Sequence, residues 1–196
     1  LNRLDSKCIP LGSVVEKFVW GTSITGFKSH KIQYAEYLKL SEKQKDKYAK
    51  VLQTSDIKSY SIDWQNEYID KEIYSKNIKE LFSINEKIVI ARLTKRIQAT
   101  IDNEQSFLGK SSLIITNKIN NCFLIGLLNS KLLNYYFKTK FDNTHMAGGY
   151  MRFDIPYLSK LPIKQIDFSN QEETIIHNQI VSYVLQLLQL NKDKQA

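Results

Sequence analysis

Cys122-Phe-Leu-Ile-Gly-Leu-Leu-Asn-Ser-Lys-Leu-Leu-Asn-Tyr-Tyr-Phe137 is the stretch on which the reading of the fold turns. Its apolar residues recur at three- and four-residue steps, and the run is too long for an ordinary strand, so the spacing predicts one largely buried helix. Upstream the pattern differs. Residues 13–27 are rich in β-branched and aromatic types and punctuated by Gly21 and Gly26, which predicts strand, turn, strand. Short strands are expected at 57–62, 67–69, 87–93, 97–101 and 113–116, with Thr94, Lys95 and Arg96 forming the turn between the third and fourth. Downstream, Gly148-Gly149 marks a loop, and residues 156–162 a short extended connection.

A second helix is expected over 171–190, with Ile176, Ile180, Tyr183, Val184, Leu187 and Leu190 on one broad stripe and Ser169 or Asn170 as its N-cap. Strands followed by helices define an α+β class: a small mixed or antiparallel sheet body with packed helices and a C-terminal docking helix. At 196 residues there is room for one main body, assigned to residues 1–168, plus a packing or docking helix at 169–196. Residues 31–50 consist of good helix formers with a weak apolar face, and read as a surface helix or mobile insertion.

Lysine and arginine number 28 against 20 acidic residues, a net charge of +8, which makes a polyanion the first partner to consider because clustered cations release counterions from a phosphate backbone. An evenly spread lysine surplus is the bland alternative. Cys8 and Cys122 stand alone in unrelated surroundings, which argues against a disulfide framework and for the cytoplasm. The apolar run from Cys122 is interrupted by Asn129, Ser130 and Lys131, too soon to cross a bilayer, and residues 1–11 carry charges unlike a signal peptide.

Signals for catalysis fail on inspection. Gly109-Lys110-Ser111 resembles the end of a phosphate-binding loop, but Glu104 stands where the motif needs its first glycine and a strand pattern follows. Asp56-Ile57-Lys58, with Asp46 upstream, imitates a metal-dependent nuclease set, although such triplets arise readily in a lysine-rich chain and a solvated turn is the simpler reading. His30, His145 and His177 lie far apart, without metal-ligand spacing. The three prolines, Pro10, Pro156 and Pro162, include no adjacent pair, so the paired-proline motif with which amino-methyltransferases hold a flipped base is missing. Catalytic and metal-binding residues are therefore not assigned.

Several phrases, in order, resemble the TaqI-like C-terminal specificity domain of type II restriction-modification enzymes. They are Gly21-Thr-Ser-Ile-Thr-Gly26, then Thr54-Ser-Asp-Ile-Lys-Ser-Tyr-Ser-Ile-Asp63, then Lys87-Ile-Val-Ile-Ala-Arg92. The most specific is Leu127-Leu-Asn-Ser-Lys-Leu-Leu-Asn-Tyr-Tyr136, followed by Gly148-Gly-Tyr-Met-Arg-Phe153 and Leu158-Ser-Lys-Leu-Pro-Ile163. The resemblance implies a target-recognition domain that binds duplex DNA for an adenine-N6 methyltransferase, with or without a fused endonuclease. The catalytic domain would precede Leu1, so S-adenosylmethionine, and Mg with a nuclease, would belong to the parent enzyme and none to this chain.

Under that reading, loop cations contact phosphates and selected side chains reach base edges. The candidates are Lys28, Lys58, Arg92, Lys95, Arg96, Lys110, His145, Tyr150 and Arg152. Asn129 and Ser130 are read as structural, bonding backbone and fixing the helix. Cys122 is read as core, and Trp20 and Trp64 as packing residues. The alternatives are half of a type I specificity subunit, which would carry two such domains, and a protein-interaction module. A DNA-binding domain gathers its cations on one concave face, whereas an interaction module scatters them.

Overall fold

Lys87-Ile-Val-Ile is an uninterrupted run without the polar alternation of a half-exposed strand, and such a run belongs where both faces of a sheet are covered. The computed structural model describes residues 2–21, 27–109, 111–115 and 118–195, and there the Lys87–Ile90 strand is buried at every position. Ile88 and Ile90 face one core with Ile97, Leu124, Leu128 and Phe137. Val89 and Ala91 face a second with Val51, Ile69, Phe82 and Leu108.

The strand lies in an antiparallel sheet of order Ala99–Asp102, Lys87–Ile90, Ser112–Ile115, Lys17–Trp20. A second sheet has the order Phe107–Leu108, Tyr48–Leu52, Glu67–Asp70, Lys31–Gln33, its first pair parallel and the others antiparallel. Helices cover one face of the first sheet and the second sheet covers the other, which is the α+β architecture with small antiparallel and mixed sheets that the sequence predicts. Phe107–Leu108 belongs to the second sheet and Ser112–Ile115 to the first, and a Cβ on Gly21 would meet the Gly109 carbonyl oxygen at 1.9 Å.

The single helix expected over 122–137 is two, Asn121–Leu128 and Lys131–Lys140. The apolar spacing runs on across the break, so periodicity could not reveal it. Asn129 and Ser130 make it because their side chains compete for backbone groups. Ser130 caps the second helix, its hydroxyl accepting from the Leu133 N–H at 3.1 Å. Asn129 accepts from the Ala99 N–H at 3.0 Å and donates to the Ala99 carbonyl at 2.8 Å, while Asn134 accepts from the Ile97 N–H at 2.6 Å. Asn129 thus satisfies the outer edge of the Ala99–Asp102 strand at Ala99, and Asn134 the backbone just before it, which fixes both helices against the strand.

Other local readings change too. Residues 31–52 are not a helix: they begin with the Lys31–Gln33 strand, pass through one-turn helices at Tyr34–Tyr37 and Glu42–Lys45, and end in the Tyr48–Leu52 strand, second in its sheet. Helix-forming composition gave way to tertiary pairing with Glu67–Asp70. Residues 57–62 form a tight hairpin through Tyr60, whose φ is +64°. The polar segment after Asp70 holds a helix, Lys76–Phe82, that seats Phe82 in the second core. Of the strand-turn-strand expected over 13–27, Lys17–Trp20 is the first strand, Leu11–Val14 is a helical turn, Phe27–His30 is a 3₁₀ turn, and 22–26 lie outside the described residues.

The C-terminal helix spans Gln171–Asp193, and Asn170 caps it by accepting from the Glu172 and Glu173 N–H groups. It packs through His177, Ile180 and Val184 onto Asn121–Leu128 at Gly126, where a Cβ would stand 2.8 Å from an Ile180 methyl. The stripe expected of it is therefore divided. Val184 is buried and Ile180 half-buried, but Ile176, Tyr183, Leu187 and Leu190 are exposed, because only the side facing Gly126 reaches the core. Among the described residues no helix is long and apolar enough to cross a membrane.

Candidate nucleic-acid interface

The strands Lys87–Ile90 and Ala99–Asp102 are joined by a basic excursion, Arg92 to Arg96, whose Leu93–Thr94 segment pairs with Met151–Arg152. Antiparallel pairing with a strand far along the chain holds this excursion outside both cores. A cleft of about 910 Å³ opens beside it. It is lined by Gln53, Thr54, Ser55 and Lys58, by Arg92 to Arg96 with Gln98, and by Met146, Tyr150 and Arg152.

Among the described residues its lining holds five cations, Lys58, Arg92, Lys95, Arg96 and Arg152, and no carboxylate. Lys58, Lys95 and Arg96 have no ion-pair partner among the described residues; the Lys95 ammonium lies 5.6 Å from the centre of the Tyr150 ring. Arg92 and Arg152 share Asp154, which accepts from Arg92 Nε at 2.6 Å and faces Arg152 Nη2 at 3.3 Å. The Arg92 guanidinium also lies 4.9 Å from the centre of the Trp20 ring, so Trp20, expected as a packing residue, is 40% exposed and supports a cleft arginine.

Of the nine residues that sequence reasoning selected, six line this cleft: Lys58, Arg92, Lys95, Arg96, Tyr150 and Arg152. His145 bridges to Met151 just outside the lining and faces Asp142 at 3.3 Å. Lys28 lies in the Phe27–His30 turn, away from the lining, and Lys110 lies outside the described residues. Sequence reasoning missed Gln53, Gln98 and Asp154. Asp154 directly follows the Gly148 to Phe153 phrase, but nothing in one chain marks it as the partner of an arginine 62 positions earlier.

Asp56, the acid of the nuclease-like triplet, is fully buried. Burial pushes its carboxyl above the ordinary value, against the opposing effect of the Gln53 N–H and Ser55 hydroxyl that donate to it at 2.9 and 3.0 Å. It shapes the Gln53–Asp56 turn rather than facing solvent, which corrects the solvated-turn reading. Cys122 is half-buried against the first core, and burial raises its thiol pKa, the opposite of an activated nucleophile. Among the described residues there is no cluster of three histidine, cysteine or acidic side chains able to hold a metal ion.

This two-core α+β body with its basic cleft is the fold of a restriction-enzyme specificity domain. The chain belongs to the TaqI-like C-terminal specificity domain family, which matches residues 49–163. Two solved structures share the fold. One is the type IIG restriction endonuclease BpuSI, at 12% identity and a TM-score of 0.62, covering 92% of this chain and 26% of that one. The other is the type IIL restriction-modification enzyme MmeI in complex with DNA, at 10% identity and a TM-score of 0.57, covering 94% of this chain and 32% of that one. The chain thus spans between a quarter and a third of the length of these enzymes. No curated protein matches it.

Proposed function

We propose that this chain is the DNA target-recognition domain of a restriction-modification enzyme, gripping duplex DNA through the cleft while a separate catalytic domain modifies the base. The observation that carries this reading is the gathering, among the described residues, of five cations and no carboxylate on the lining of one cleft, as a polyanion site requires. Lys95 and Arg96 stand exposed at the tip of the excursion, suited to phosphates, and Gln53, Gln98 and Tyr150 supply donors and acceptors among the cations. His145, Lys28 and Lys110 remain candidates for contacts beyond the cleft.

An enzyme that acts on an extruded base needs a second grip on the duplex to choose its position, and that division of labour explains a recognition body with no chemistry of its own. The parent is read as an adenine-N6 methyltransferase working in the cytoplasm, alone or fused to a nuclease, with S-adenosylmethionine, and Mg where it cleaves, held by its other domains. Residues 1–168 are assigned to recognition and 169–196 to packing.

The test is retention of duplexes from a random pool over a range of salt concentrations, followed by sequencing. The expected result is enrichment of one short motif with affinity falling steeply as salt rises, and a salt slope shallower by about two after combined Lys95→Ala and Arg96→Ala. Retention without a motif, or a slope unchanged by those substitutions, would count against the assignment.

A further inference from the structure

The five cleft cations are not held alike. Lys95 and Arg96 are exposed and have no ion pair among the described residues, whereas Arg92 is fixed from its backbone outward. Its carbonyl accepts from the Phe153 N–H at 2.8 Å, its guanidinium lies against the Trp20 ring, and its Nε donates to Asp154. The side chain is only 29% exposed, against 50% for Arg152. Asp154 takes only the Nε–H. The two terminal amino groups of Arg92, which form the fork of the guanidinium, have no partner among the described residues, and Arg92 lines the cleft.

A phosphate contact can be made without this arrangement, since a lysine meets a phosphate as a point charge. A base contact needs it: the paired acceptors O6 and N7 of guanine are recognised by two parallel N–H groups in fixed relative position, and a fork lowered on a flexible stem would lose that selectivity. Burying one edge of the guanidinium against a carboxylate and one face against an aromatic ring leaves a single direction in which the fork can bond.

We infer that Arg92 is a base-reading residue that recognises guanine in the major groove of the target duplex, with Trp20 and Asp154 as the positioning residues that aim it. Arg152, on the other oxygen of Asp154, balances the carboxylate, so that the pair of arginines keeps a net positive charge toward the DNA. The inference rests on the reading of the cleft as a duplex-DNA site and adds to it which residue discriminates and which base it selects.

The experiment is selection from the same random duplex pool with the wild-type chain, Arg92→Lys, Asp154→Asn and Trp20→Phe, together with salt slopes on the selected duplex. Arg92→Lys keeps the charge and removes the fork. It is expected to relax preference at one G·C position by roughly 10- to 100-fold, leaving the other positions and the salt slope unchanged. Asp154→Asn and Trp20→Phe are expected to relax the same position, and no other, by smaller factors. A general loss of stability would lower all positions together, so the position-specific readout separates aiming from folding. A wild-type motif that Arg92→Lys leaves intact overturns the inference while sparing the recognition function. An Arg92→Gln variant that keeps the motif but flattens the salt slope by about one does the same, by showing a phosphate contact. A wild-type chain that selects no motif overturns both.

Discussion

Two regions of the molecule use the same residue types to opposite ends. On the second sheet and its surroundings four lysines each meet a carboxylate: Lys31 with Glu67 at 2.5 Å, Lys47 with Asp70 at 2.7 Å, Lys79 with Glu72 at 3.1 Å, and Lys50 with Glu104. At the cleft, Lys58, Lys95 and Arg96 meet none among the described residues. Ion pairing is thus local, and the net charge of +8 does not report which cations an acid offsets and which it leaves. Composition reports only the total, while a polyanion responds to the remainder at one place.

The pairing that should be hardest to break is Lys87 with Asp102, 2.6 Å apart with both side chains fully buried. The Lys87 ammonium also donates to the Phe82 carbonyl at 2.8 Å, and Asp102 accepts from the N–H and hydroxyl of Ser106. Burial pushes the Lys87 pKa down, opposed by the charge and hydrogen bond of Asp102. Asp102→Ala strands a buried cation and should cost roughly 3–5 kcal/mol in urea denaturation. A loss under about 1 kcal/mol would show that the paired region is held by packing alone.

The next largest effect separates the regions by binding. Replacing Lys58, Lys95 and Arg96 together with Ala should reduce the salt slope of DNA binding by about three, with thermal stability little changed. The same change at Lys47 and Lys79 should leave the slope as it was. If both sets moved the slope equally, the contrast between neutralised and free cations would have no bearing on binding.

The smallest effect concerns acid stability. Burial raises the Asp70 carboxyl, but the hydrogen bond from Lys47, the Glu72 N–H and the Lys47 charge outweigh it and hold the group below 3.8. A carboxyl depressed in the folded state contributes stability at pH above its unfolded value, and that contribution is lost as pH falls through the folded value. Lys47→Met should therefore shift the onset of acid unfolding slightly upward in pH. Profiles that superimpose would show Lys47 to be screened by solvent, as its half-exposed side chain allows.

Much of this contrast could be anticipated in part. The strand pair around Thr94, Lys95 and Arg96 was legible because β-branched runs flank a polar turn, and six of the nine selected residues line one cleft because they sit in or beside phrases of recognisable order. The helix break at Asn129 was not legible, since the apolar spacing continues through it and the decisive partner, Ala99, is 30 residues away. Residues 31–52 misled for the same kind of reason: intrinsic propensity favours helix, whereas pairing with Glu67–Asp70 supplies backbone hydrogen bonds that propensity does not count.

The sequence by itself determined the α+β class, a strand beginning at Lys87, a cap at Ser169 or Asn170 and the size of the charge surplus, because each follows from residue type and short-range spacing. Only the tertiary structure decided which cations remain unpaired and that Trp20 and Asp154, 134 positions apart, hold Arg92 between them. Ion pairs and stacking act over a few ångströms of space regardless of separation along the chain, so no local pattern encodes them.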